Sequence, residues 1–105
     1  MSNKYQIFTY RVVKEYIDNL DVIQKARIDR FYELFRIYGN ALPGKYLKKI
    51  ASHVWELRPG DIRMFLTIKG NTGYVVHAIN KKSQKTPKRD LDLAIKRVKE
   101  EVSVT

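Results

Sequence analysis

Two arginines on either side of one turn signal carry the clearest chemical meaning in the chain. Arg58 and Arg63 flank Pro59-Gly60-Asp61, and Glu56 stands two residues before the first of them. Further on, residues 81–89 hold five basic residues in nine and no acid. A guanidinium is a rigid fork of donors that matches the oxygens of a phosphate, and a groove of several Arg and Lys binds a nucleic-acid backbone with strong salt dependence. Glu56 reads first as an ion-pair partner of Arg58 or Arg63, because structural ion pairs are common beside such cations, and second as a proton acceptor.

These side chains meet only if strands present them on one face. Residues 54–58 read as a strand, and in 62–69 Ile62, Met64, Leu66 and Ile68 alternate with Arg63, Phe65, Thr67 and Lys69, the clearest period-two pattern in the chain. If Trp55, Leu57, Met64 and Leu66 face the core, then Glu56, Arg58, Arg63 and Phe65 face the other way. That predicts an open, electropositive sheet face with Arg58, Arg63, Lys81, Lys82 and Lys85 around Glu56, and with Phe65 placed to stack on a base. His77 lies mid-strand, where a packing or hydrogen-bonding role outweighs a catalytic one, and His53 has no evident partner. Ser83 and Thr86 read as turn and cap residues rather than nucleophiles.

The supporting elements follow from pattern and punctuation. Residues 5–9 are β-prone. Val13, Tyr16, Ile17 and Leu20 form one face of a short helix, and Asp21 with Gln24 has capping-box spacing for a second, ended by Gly39-Asn40. The short link between them predicts an antiparallel helical hairpin. Residues 40–53 read as a loop with, at most, a turn of helix. Three strands then form a meander across two Gly-containing turns, the third spanning 74–81. Thr86-Pro87 predicts a hydroxyl N-cap and a proline at the first helical position, with Leu91, Ile95, Val98 and Val102 as the apolar stripe of a last helix. The expected fold class is α+β, in the order β-α-α-β-β-β-α. The helical hairpin and the C-terminal helix would cover one face of a small, mostly antiparallel sheet in two layers.

Composition narrows the functions. The chain has 105 residues, suited to one domain, 1–105, with an apolar fraction ordinary for a globular protein. It has no Cys and two His, which excludes a disulfide scaffold, a Cys-based zinc site and a Cys nucleophile, so neither cofactor nor metal is expected. No apolar run is long enough to span a bilayer and the first residues lack a secretory pattern, so the expected location is the cytoplasm. The net charge of +10 points to a polyanionic partner, and it is concentrated: residues 45–99 hold fourteen basic and four acidic residues, against seven and five in 1–44.

The run from Trp55 to Glu100 resembles a known family. Trp55-Glu56-Leu57-Arg58, Arg63 in the next strand, and Asn80-Lys81-Lys82-Ser83-Gln84-Lys85-Thr86-Pro87 before a basic helix are similar to the phage-derived, HigB-like branch of the RelE/ParE toxin superfamily. The motifs span about half the chain, and the order of elements agrees over the rest. The resemblance implies a small toxin of a type II toxin–antitoxin system and a partner antitoxin, often of helix-turn-helix type, for which the +10 charge asks an acidic contact surface. It further implies metal-independent mRNA cleavage on the ribosome, in which a 2′-hydroxyl attacks the adjacent phosphate. Arg63 and Lys82 would then stabilise the charge on phosphorus, Arg58 would position the backbone with Lys81 and Lys85, and Glu56 is the nearest candidate base, with Lys82 or Lys85 as the acid. The best-studied nucleases of the superfamily carry a Lys near the position of Glu56 and a Tyr in the last helix; this chain has Glu56 and no Tyr after Tyr74. A ParE-like inhibitor of DNA gyrase and a non-catalytic basic RNA-binding domain are the alternatives that the same fold allows.

Overall fold

The computed structural model describes residues 3–81 and 85–104. Its elements are β1 (Gln6–Thr9), α1 (Arg11–Asp18), α2 (Val22–Tyr38), β2 (Leu47–Ala51), β3 (Val54–Leu57), β4 (Ile62–Lys69), β5 (Thr72–Asn80) and α3 (Lys88–Ser103), with a 3-10 turn at Gly39–Ala41. The five strands form one mixed sheet in the order β1-β5-β4-β3-β2; β1 runs parallel to β5 and every other pair is antiparallel. No helix of the described residues is long and apolar enough to cross a membrane.

Local chemistry explains most boundaries. Asp21 accepts from the Gln24 backbone N–H at 2.8 Å and the Gln24 side chain answers the Asp21 N–H, so the expected capping box starts α2. Gly39, at φ +53, ends it. Gly60, at φ +63, closes the β3–β4 turn, and a Cβ there would meet the Arg27 guanidinium at 2.8 Å. The turn therefore needs glycine for its backbone, and the flexible end of Arg27 lies close over it.

The structure corrects the expected order and layering. Residues 47–51, read as loop, form β2, so the order is β-α-α-β-β-β-β-α. Their pattern, Leu-Lys-Lys-Ile-Ala, does not alternate cleanly, and a register shift between Lys49 and Ala51 accounts for that. The helices do not share a face. Val13, Ile28 and Phe35 of α1 and α2 cluster with Leu57, Met64, Leu66 and Val75, whereas Val98 of α3 packs with Val54 and Val76, whose side chains point the other way along the same strands. The sheet is thus covered on both sides, in three layers. α1 packs chiefly on β5 and α2 on β1, and Val13 of α1 shares one apolar cluster with Ile28 and Phe35 of α2.

Alternation breaks once more, in β5. Phe65 pairs with His77 but Leu66 pairs with Val75, so Val76 is the extra residue of a β-bulge. The bulge lets Val76 and His77 both face α3. Arg97 of that helix donates Nη1 to the Val76 carbonyl at 2.8 Å, which satisfies an oxygen that the disrupted ladder leaves over.

Candidate functional site

Register brings the expected site together. Leu57 pairs with Met64 and Glu56 with Phe65, so Arg58 and Arg63 follow one another across the β3–β4 turn, on the α3 side of the sheet. Glu56 is 2% exposed. Its Oε1 accepts from Arg58 Nε at 2.7 Å and lies 3.9 Å from Arg63 Nε, while Oε2 accepts from the Thr86 hydroxyl at 3.2 Å. One buried carboxylate thus holds two guanidiniums and ties the segment entering α3 to the sheet. Without both cations its burial would be strongly unfavourable.

Arg63 is fixed further. Its Nη1 donates to the carbonyls of Gly60 at 2.6 Å and Ile62 at 2.9 Å, and its Nε makes no hydrogen bond among the described residues. The Lys81 backbone N–H donates to the Asp61 carbonyl at 2.7 Å, which brings the end of β5 to the same turn. Lys85 is exposed and adjoins Thr86. Lys82, with Ser83 and Gln84, lies outside the described residues.

Three expectations change. The face is not open: α3 covers part of it, and the side chains of Arg58 and Arg63 are 27% and 16% exposed. Phe65 shares the face with Arg63 but is 0% exposed and stacks on His77, with ring centroids 5.9 Å apart, so it is a packing residue and not a base platform. Thr86 does not cap α3. The helix begins at Lys88 behind Pro87 with no side-chain cap, and the Thr86 hydroxyl is committed to Glu56.

The structure also adds cations. Lys48 pairs across from Glu56 and is exposed, so it extends the charged face to the sheet edge, and Arg27 of α2 lies over the Gly60 turn. Strand status for 47–51 would have found Lys48; no local pattern marks Arg27. His77 has the structural role expected of it: Nε2 lies 2.9 Å from Asp90 Oδ1 and Nδ1 lies 3.4 Å from Arg97 Nη1. His53 sits exposed in the β2–β3 turn at φ +61.

A small five-stranded mixed sheet between two helical layers is a fold this chain shares with RelE. The RelE of an archaeal RelE–RelB complex from Pyrococcus horikoshii OT3 superposes with a TM-score of 0.64 at 13% identity, over 75% of this chain and 97% of that one. Residues 15–99 match the model of the family described as phage derived protein Gp49-like (DUF891), and the chain belongs to that family. The phage-derived resemblance seen in residues 55–100 is borne out by the family match, and the RelE-like fold it implied by the superposition. No curated relative matches the chain.

Proposed function

We propose that the chain, acting as one domain, is the toxin of a type II toxin–antitoxin pair and cuts mRNA on the ribosome in the cytoplasm. The observation that carries this reading is the pair of guanidiniums, Arg58 and Arg63, held by the buried Glu56 at the end of the sheet where Lys48 and Lys81 gather. Two preorganised forks beside each other suit a phosphate whose charge grows as it is attacked. In this reading a 2′-hydroxyl, giving up its proton to solvent water, attacks the adjacent phosphorus. The new 2′-O–P bond forms as the P–O5′ bond breaks, leaving a cyclic phosphate and a 5′-hydroxyl. Arg63 and Lys82 stabilise the added charge, Arg58, Lys81 and Lys85 hold the backbone, and a lysine of the 82–85 segment protonates the leaving oxygen.

Glu56 is assigned to positioning the arginines. Service as the base would require a carboxylate that is 2% exposed to leave a 2.7 Å ion pair. That same burial favours a second reading, RNA binding without cleavage. The partner is an antitoxin with an acidic contact surface, a reading supported by the RelB that accompanies the archaeal RelE and by the +10 charge.

The test is a translating cell-free reaction in which new 5′ ends on a reporter mRNA are mapped with and without ribosomes. Cuts confined to translated mRNA, reduced about 10²–10³-fold by Arg63→Ala, are the expected result. Intact mRNA with tight RNA binding selects the second reading. Growth arrest with intact mRNA and an induced DNA-damage response selects gyrase inhibition.

A further inference from the structure

Away from the arginine pair, the same sheet face carries a second feature that the proposed chemistry does not use. Phe8 of β1 pairs with Tyr74 of β5, and Tyr74 with Thr67 of β4, so both rings stand on the face that holds Arg63. The two rings stack with centroids 6.0 Å apart. Phe8 is 48% exposed, unusual for a phenylalanine flanked by ordered structure on both sides. An ammonium stands over each ring: Lys14 Nζ is 6.0 Å from the centroid of Phe8, and Lys69 Nζ is 5.4 Å from that of Tyr74.

The charges around the rings differ in kind. Lys69 is held in place by the Glu101 carboxylate at 3.3 Å and by the carbonyls of Glu101 and Val104, so it fixes the end of α3. Lys14 has no ion pair among the described residues, and its neighbour Glu15 is paired with Arg11 at 3.7 Å. An exposed ring backed by a second ring, with an ammonium 6.0 Å from its centroid, is poorly suited to an apolar protein helix, which wants a wider patch free of charge. It fits a nucleobase, whose flat face stacks on the ring while the ammonium takes the phosphate beside it.

We infer that Phe8 and Tyr74, with Lys14, form a base-stacking platform for single-stranded RNA, a second contact for the strand held by Arg58 and Arg63. The inference rests on the proposed RNA-directed function. Arg63 lies four residues along β4 from Thr67, and two inter-strand spacings, across β5, separate Thr67 from Phe8. The platform is therefore about 13 Å along and about 10 Å across from the arginines, within reach of a few nucleotides.

The test uses the full chain and a fluorescent single-stranded oligouridylate of about ten nucleotides, 2′-O-methylated so that it cannot be cut, beside an abasic strand of equal length. Phe8→Leu is expected to weaken oligouridylate binding about tenfold and leave abasic binding unchanged, while Phe8→Trp binds at least as well as the unaltered chain. The tryptophan variant keeps the test decisive if the leucine variant folds poorly, since a lost affinity on Trp as well as Leu overturns stacking. If Phe8→Leu binds oligouridylate like the unaltered chain while Arg58→Ala binds more weakly, the platform is overturned and the RNA reading stands. Binding of neither strand by the unaltered chain overturns the platform and leaves the ribosome assay to judge cleavage separately. Unchanged RNA affinity with lost neutralisation by a partner protein reassigns Phe8 to a protein contact and overturns the proposal.

Discussion

On the α2 side of the sheet, Ile28, Phe35, Met64 and Leu66 are at most 1% exposed and belong to one apolar cluster that also takes in residues of α1, β2 and β5. On the α3 side a smaller cluster forms, Val54 and Val76 of the strands with Val98 of α3, joined by partly buried Ile95 and Val102, and Phe65 and Ala94 are fully buried. Specific polar contacts frame it. Asp90 meets His77, Arg97 meets the Val76 carbonyl, Tyr10 donates to Glu101 at 2.6 Å, and Lys69 caps the helix end. Burial of hydrocarbon is non-directional and tolerant, whereas paired charges hold a few atoms in fixed places and lose heavily when one partner goes. The contrast assigns stability to the first face and geometry to the second, and it can be tested one side chain at a time.

The largest effect belongs to the apolar face. Phe35→Ala is expected to cost about 3–5 kcal/mol in urea unfolding, much of the stability of a domain this size. Glu56→Ala comes next. It leaves two partly buried guanidiniums without their anion and is expected to cost about 3 kcal/mol, with Glu56→Gln intermediate. A neutral Glu56→Ala would show that the arginines stand apart in solution and would dissolve the contrast. Arg97→Ala strands the bulge carbonyl and is expected to cost about 1–2 kcal/mol, and a double-mutant cycle on His77 and Asp90 is expected to give a coupling of about 1 kcal/mol.

The smallest effect is alkaline. Burial, and then the hydrogen bond to Glu101, push the Tyr10 hydroxyl from 10.0 up to about 12. The folded chain therefore holds that proton more tightly than the unfolded one. The contribution is complete below pH 10 and is lost as pH rises through about 12. Tyr32, also raised to about 12 by burial, loses stability over the same range. The check is the difference between unfolding curves of the unaltered chain and Tyr10→Phe, which should narrow between pH 10 and pH 12 as only the former loses its Tyr10 share. A constant difference would remove Tyr10 from the α3 clamp.

Much of this molecule is legible without coordinates. Strict alternation in 62–69 places Arg63 on the face away from Met64 and Leu66, and the turn signal at 59–61 places Arg58 beside it. The Asp21–Gln24 spacing names a helix start that the structure contains. Local rules suffice there because side-chain direction in a strand and capping at a helix end depend on a few neighbouring residues. They fail for 47–51, whose strand character comes from pairing with β3 rather than from its own pattern, and with it went Lys48. They fail also for Phe65, because facing away from one core is not the same as facing water when a second layer lies on that side.

Spacing, charge and turn chemistry in the chain were enough to specify the strands that carry the arginines, the start of α2, the amphipathic stripe of α3 and the cationic second half. An apolar stripe says that a helix has a buried side, but not which face of a sheet receives it; that choice depends on the bulge at Val76, the Arg97 hydrogen bond that satisfies it and the Lys69 anchor at the far end. The same long-range packing brings Thr86 to Glu56, thirty residues away, and buries the carboxylate between two arginines. Burial is a property of everything folded around an atom, so no window of sequence contains it.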